Sequence, residues 1–178
     1  GEVPRTPVSS IAVPTLVIHG TADPMFPLEH GQALAEEIPG ARLLTLEGAG
    51  HGVDRADWET LVRAIVEHPQ QIAFQGIHIY AGSQCFDAAG IAEGVKDTFR
   101  IAREIENSSP LVCRVVNLGG GFGVSHGGSE RELDLAELAS QLRSVVSAFI
   151  ESSPVRRRVV FELGRYLTAG AGIYVSRV

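Results

Sequence analysis

The 178 residues carry a formal net charge of −6, with 44% apolar and 20% charged side chains. That length makes one domain or two small ones and is enough to bury a true core. The acidic balance argues against a nucleic-acid surface, and no apolar run approaches the ~20 residues of a membrane helix. The two cysteines, Cys85 and Cys113, make no disulfide framework and point to a reducing, cytoplasmic setting.

The charge is unevenly placed. Residues 1–69 hold ten acids and four arginines, whereas 70–178 balance at eleven acids and eleven bases. Two parts of different origin are expected. The chain opens without methionine or a charged leader and reads as an interior stretch.

Residues 1–14, with three prolines, read as a linker. Thr15–His19 reads as a buried parallel strand, 20–27 as a loop, and Leu28–Ile38 as a helix stopped by Pro39-Gly40. Ala41–Leu46 is a second strand, followed by the loop EGAGHG. Asp54–His68 is a helix with Trp58, Leu61, Val62, Ile65 and Val66 on one side. The rhythm then repeats, with a strand at Ile72–Tyr80 and a helix at Ala88–Asn107. A strand at Leu111–Leu118 leads into GGGFG, and the polar loop 125–133 leads into a helix at Leu135–Glu151. A strand at Val155–Glu162 and a short one at Gly172–Val178 complete the chain. Strands alternating with helices of this length imply about six parallel strands in βα units, as one open sheet or as two half-folds.

The segment TLVIHGTADPMFP, followed by GAGH, resembles the C-terminal segment of an α/β-hydrolase over residues 11–66. The resemblance implies that Asp23 is the triad acid and His51 the triad base. That chemistry needs both on loops at the carboxyl ends of adjacent parallel strands. No G-x-S-x-G nucleophile elbow lies upstream of Asp23 and His51, where that family carries its serine, so acyl transfer by this chain is not expected.

In the second part, Gly119, Gly120 and Gly121 follow a strand and precede a helix, where backbone N–H groups can approach a phosphate closely. Taken in order, GIHIYAGSQ (76–84), NLGGGFG (117–123) and ELGRYL (162–167) resemble the fold-type III pyridoxal phosphate (PLP) decarboxylases, the diaminopimelate and ornithine decarboxylase family. The resemblance covers residues 66–178. It implies PLP as cofactor, with Glu162 on the pyridinium nitrogen and Tyr80 against the ring. Ser83 and Arg165 would join the three glycines on the phosphate. His78 shares Tyr80's side of the strand by alternation and ranks below it.

Two departures stand out. Leu163 replaces the family's usual proline, and Tyr80 stands where it usually has histidine. They favour an unusual or carrier-bound amino acid over plain diaminopimelate or ornithine as substrate. The family's Schiff-base lysine has no counterpart upstream, because Lys96, inside a helix next to Asp97, is the single lysine. Cys85, Cys113 and His126 fit no metal spacing.

The expected fold class is therefore α/β: an α/β-hydrolase C-terminal segment (1–66) joined in the helix 54–68 to a partial TIM-type β/α barrel (67–178). Three functional readings stay open. The chain is a decarboxylase fragment inactive alone, a hydrolase remnant, or a non-catalytic chimeric scaffold. A small-molecule substrate is expected and a homodimer is possible, whereas nucleic acid and membrane are not expected as partners.

Overall fold

The computed structural model describes residues 7–70, 72–125, 132–172 and 175. The chain divides into two compact units, Gly1–Ala73 and Phe74–Val178.

In the first unit, β1 (Leu16–Gly20) pairs in parallel with β2 (Arg42–Leu46), from Leu16 opposite Arg42 to Gly20 opposite Leu46. Helix α1 (Leu28–Glu37) crosses between them and packs on both. It touches β1 through Gly31, where a Cβ would lie 2.8 Å from the His19 ring nitrogen Nδ1. Gly40, at φ +75°, makes the left-handed turn that ends this connection. A turn at Arg55–Asp57 opens α2 (Trp58–Glu67), which starts on a reciprocal capping box between Asp54 and Asp57. The expected apolar stripe of α2 is present in the sequence, yet none of its residues is buried. The apolar core of this unit is correspondingly thin, resting on Ile38, Leu46 and Ala49.

The second unit carries a parallel sheet in the order β3-β4-β5, formed by Gly76–His78, Val115–Asn117 and Arg158–Val160. Helix α3 (Ala88–Ser108) links β3 to β4, and α4 (Leu135–Glu151) links β4 to β5. Both begin on an aspartate cap: Asp87 accepts from the Ala89 N–H at 3.0 Å, and Asp134 from the Glu137 N–H at 2.9 Å. Ala88, Ala92, Val95, Phe99 and Ala102 recur at alternating steps of four and three, so one stripe of α3 is buried. It packs with Leu138, Leu142 and Phe149 of α4 over Val116 of the central strand. The Phe99 and Phe149 rings stack at 4.0 Å.

Beneath that stack lies a buried ion pair. Arg157 donates to the Phe149 carbonyl at 2.6 Å, to Ser152 Oγ at 3.0 Å and to Glu106 Oε2. Glu106 Oε1 accepts from the Cys113 N–H at 2.9 Å. Burial, aided by the Glu106 charge, pushes the Cys113 thiol up to about 11.

Strands β3, β4 and β5 are shorter than the apolar runs that contain them. Five strands form among the described residues, in two separate sheets rather than one continuous sheet. The expected last strand, 172–178, falls largely outside the described residues. A short helix, α5 (Gly164–Thr168), follows β5.

Candidate functional site

In the first unit, the loops after β1 and β2 meet. Gly20 permits this: a Cβ there would lie 2.3 Å from the Ala49 carbonyl oxygen, so only glycine lets the second loop pass so close. The Ala22 N–H donates to that same carbonyl at 2.9 Å. Asp23 sits in the resulting corner with its side chain 7% exposed. Its Oδ1 accepts from the Met25 and Phe26 N–H groups at 2.8 and 3.1 Å, and its Oδ2 accepts from His51 Nδ1 at 2.9 Å. Asp23 thus shapes its own turn and orients His51 at once. Burial raises the Asp23 pKa, but the hydrogen bonds from His51, Met25 and Phe26 outweigh it and hold the carboxyl down at about 2. An ionised carboxylate only accepts, so the His51 proton is on Nδ1 and Nε2 is left as the basic nitrogen. His19 donates from Nε2 to the Phe26 carbonyl at 2.9 Å and stands 3.9 Å from Asp23 Oδ2. These groups open on a hollow of about 570 Å3 with an apolar wall that includes Ile18, Phe26, Leu34 and Val53.

The Asp23 pKa sets an acid response. The group sits below its ordinary 3.8 when folded, so its stabilisation is full above about pH 4 and is lost as pH falls through about 2. In Asp23→Asn that acid limb is expected to flatten, as read by the fluorescence of Trp58 in the same unit. An unchanged limb in the variant would show that the His51 contact does not form in solution.

In the second unit Tyr80, Ser83, the three glycines and Glu162 follow the carboxyl ends of the three strands, whereas Arg165 stands apart on α5. The glycine loop after β4 is wedged between neighbouring backbones. A Cβ on Gly119 would lie 2.6 Å from the Ile79 carbonyl oxygen, one on Gly120 2.0 Å from that of Glu162, and one on Gly121 1.9 Å from that of Gly82. The Glu162 N–H donates to the Gly119 carbonyl at 2.7 Å, and the Cys85 N–H to that of Gly121 at 2.9 Å. Among the described residues, the N–H groups of Gly120 and Gly121 take no acceptor. Two free amide donors on a loop at the strand ends are the arrangement an anion requires.

Glu162 follows β5 with its carboxylate 54% exposed. Its Oε1 accepts from Asn117 Nδ2 at 2.7 Å, and its Oε2 lies 3.7 Å from His78 Nε2. Asn117 Oδ1 accepts from the Gly119 N–H at 2.9 Å. Tyr80 is 68% exposed. Ser83 lines a hollow of about 140 Å3 together with Gly82, Gly120 and Phe161. Arg165 is exposed on α5. Lys96 pairs with Glu93 at 3.1 Å on the solvent side of α3.

Sequence reasoning missed Asn117, although an Asn two residues before a glycine carries the signature of a side chain bonding its own backbone two residues on. It also missed Gln84, which stands at φ +57° and clamps Val124 through both amide atoms. His126 lies outside the described residues. Among the described residues, no group of three or more metal-ligating side chains occurs, and no helix is long and apolar enough to cross a membrane.

Two family profiles match, overlapping over residues 41–68. A TAP-like α/β-hydrolase family profile matches residues 1–68. The profile of the pyridoxal-dependent decarboxylase, pyridoxal binding domain, matches residues 41–169. The L-glutamyl-acyl-carrier protein decarboxylase of Niallia circulans is 32% identical over 123 residues, which are 67% of this chain and 29% of that protein. The rhodomycin D methylesterase DauP of Streptomyces sp. is 39% identical over 72 residues, which are 37% of this chain and 24% of that protein. The chain thus spans less than a third of these curated relatives. The biosynthetic arginine decarboxylase of Campylobacter jejuni superposes with a TM-score of 0.55 at 21% identity, over 79% of this chain and 25% of that one, a likeness of fold. With the decarboxylase profile covering well over half of its length, the chain belongs to the pyridoxal-dependent decarboxylase family through that family's pyridoxal binding domain.

Proposed function

We propose that residues 67–178 are the cofactor-binding part of a PLP-dependent amino-acid decarboxylase, and that this chain by itself binds the cofactor without turning over substrate. The observation that carries the reading is the wedged glycine loop, with two free N–H donors beside a carboxylate held by Asn117. Gly120 and Gly121 would hold the phosphate through their amides, with the Ser83 hydroxyl and the Arg165 guanidinium as further donors. Glu162 would keep a proton on the ring nitrogen, and Tyr80 would cover a ring face. When bound, the cofactor supplies an electron-withdrawing ring for the electron pair released as the substrate loses CO2. Lys96 is bonded to Glu93 on a helix face, so it is not the residue that anchors the cofactor covalently.

The substrate class we favour is an amino acid in carrier-bound or otherwise modified form, on the strength of Tyr80, Leu163 and the relative named for an acyl-carrier substrate. We assign residues 1–66 to an inherited hydrolase segment, whose Asp23–His51 contact survives with no serine nucleophile motif upstream of it in this sequence. The chain is then a chimera acting in the cytoplasm, with self-association through unpaired strand edges as its expected partner chemistry.

Titration with PLP, followed by absorbance before and after borohydride, tests this. Saturable binding with no reduced adduct is expected. Arg165→Ala should weaken it roughly tenfold through loss of a charge-assisted bond. No binding at millimolar PLP would leave only the scaffold reading. A site-specific, saturable reduced adduct on Lys96, or CO2 released from any amino acid, would overturn the claim of catalytic incompleteness.

A further inference from the structure

We infer that Asn117 is a positioning residue that locks the Glu162 carboxylate to the glycine loop, so that Oε2 alone is presented to a protonated ring nitrogen. The inference deepens the PLP reading and rests on it.

Asn117 ends the central strand, in register with His78 on one side and Val160 on the other. Its amide is used at both ends. Oδ1 accepts from the Gly119 N–H at 2.9 Å, and Nδ2 donates to Glu162 Oε1 at 2.7 Å. These two bonds define the side chain: the loop bond sets which end of the amide is oxygen, so the end facing Glu162 is the donor. The Glu162 backbone is tied to the same loop, through its N–H on the Gly119 carbonyl at 2.7 Å. A half-exposed glutamate would otherwise sample many rotamers, and each one frozen on binding costs affinity. With Oε1 engaged, one oxygen remains for a cation. The structure already brings a ring nitrogen to that side, His78 Nε2 at 3.7 Å from Oε2.

The link has a functional consequence. The glycine loop is the proposed phosphate cradle and Glu162 the proposed ring-nitrogen contact. Asn117 couples these two ends of one ligand, fixing their separation through a single planar amide. Neither a serine nor an alanine at this position spans both partners. Serine preserves the loop bond, because its hydroxyl also bonds an N–H two residues on, but it is too short to reach Glu162.

That asymmetry supplies the test. PLP labelled with 15N at the ring nitrogen is titrated into the wild-type chain, Asn117→Ser, Asn117→Ala, Glu162→Ala and the two double variants. Asn117→Ser is expected to lower PLP affinity about five- to tenfold and Asn117→Ala somewhat more; beside Glu162→Ala, Asn117→Ser should lower it no further and Asn117→Ala should keep only the smaller loss that comes from the loop bond. The bound ring nitrogen is expected to move toward its unprotonated shift in Asn117→Ser, as in Glu162→Ala. Without cofactor, the Asn117 side-chain amide resonance should shift in Glu162→Ala. Asn117→Ser binding as the wild type does, or a loss in Asn117→Ala that persists undiminished beside Glu162→Ala, would reduce Asn117 to a loop fastener and overturn the inference alone. Absence of PLP binding by the wild-type chain would overturn the cofactor reading and this inference with it.

Discussion

Replacing Arg157 with methionine is expected to destabilise the second unit by about 3–5 kcal/mol, the largest effect of any single change considered. The Arg157 side chain is 3% exposed and its partner Glu106 17%. Removing the guanidinium strands a mostly buried carboxylate. It also takes one of two side-chain donors from the Phe149 carbonyl near the end of α4, leaving the Ser152 hydroxyl at 2.8 Å. The cation lying 4.3 Å from the Phe149 ring centroid is lost as well. Arg157→Lys is not a rescue, because an ammonium cannot reproduce the fork that reaches Phe149, Ser152 and Glu106 together. The informative partner is Arg157→Met combined with Glu106→Gln. Glutamine keeps an acceptor for the Cys113 N–H and carries no charge, so the double variant is expected to recover part of the loss. Denaturant unfolding followed by far-UV circular dichroism reads α3 and α4, whereas Trp58 reports on the other unit. A double variant no more stable than Arg157→Met would show that packing, not an unpaired charge, sets the cost.

Such a contact marks the limit of what the sequence discloses. Glu106 and Arg157 lie 51 residues apart and neither belongs to a motif. The helices were legible because their cause is local. In α4 the apolar spacing and the Asp134 cap place both ends where the structure has them, and α3 differs by one residue. The strands were not delimited so well. Apolar runs at 72–80, 111–118 and 155–162 report burial, whereas a strand exists only where a neighbour pairs with it, and each ladder here spans three residues. Residues outside the ladder still pack: Cys113, before β4, is fully buried. Helix α5 is too short for periodicity to register. At the sites, the Asp23–His51 approach was implied by the hydrolase resemblance, which puts both residues on loops at the ends of adjacent parallel strands. The Asn117–Glu162 bond did not, because it needs the register of β4 against β5. Helix α2 forms with its stripe half-buried and no residue fully buried, because an amphipathic pattern states what a helix could cover, not that a surface is there to be covered.

The second large effect is expected at Gly120. Its φ is not in the left-handed region, so a substitution there tests space alone. The missing Cβ would stand 2.0 Å from the Glu162 carbonyl oxygen and 3.0 Å from that carbonyl's carbon, both backbone atoms that cannot rotate away. Gly120→Ala must therefore push the segment after β5 off the loop and break the bond from the Glu162 N–H to the Gly119 carbonyl. A cost of about 3 kcal/mol is expected, at the upper end for an inserted methyl, with PLP binding lost because the loop and Glu162 no longer keep their separation. Gly94→Ala is the matched control. It adds the same methyl within α3, where nothing lies within 4 Å of the new atom. Removing a helix-interior glycine should stabilise by about 1 kcal/mol. The pair is read by denaturant midpoint and PLP titration together. Gly120→Ala with wild-type stability and wild-type PLP affinity would mean that the loop does not press against the β5 segment in solution. The wedge between Ile79, Gly82 and Glu162 would then not be what shapes the cradle.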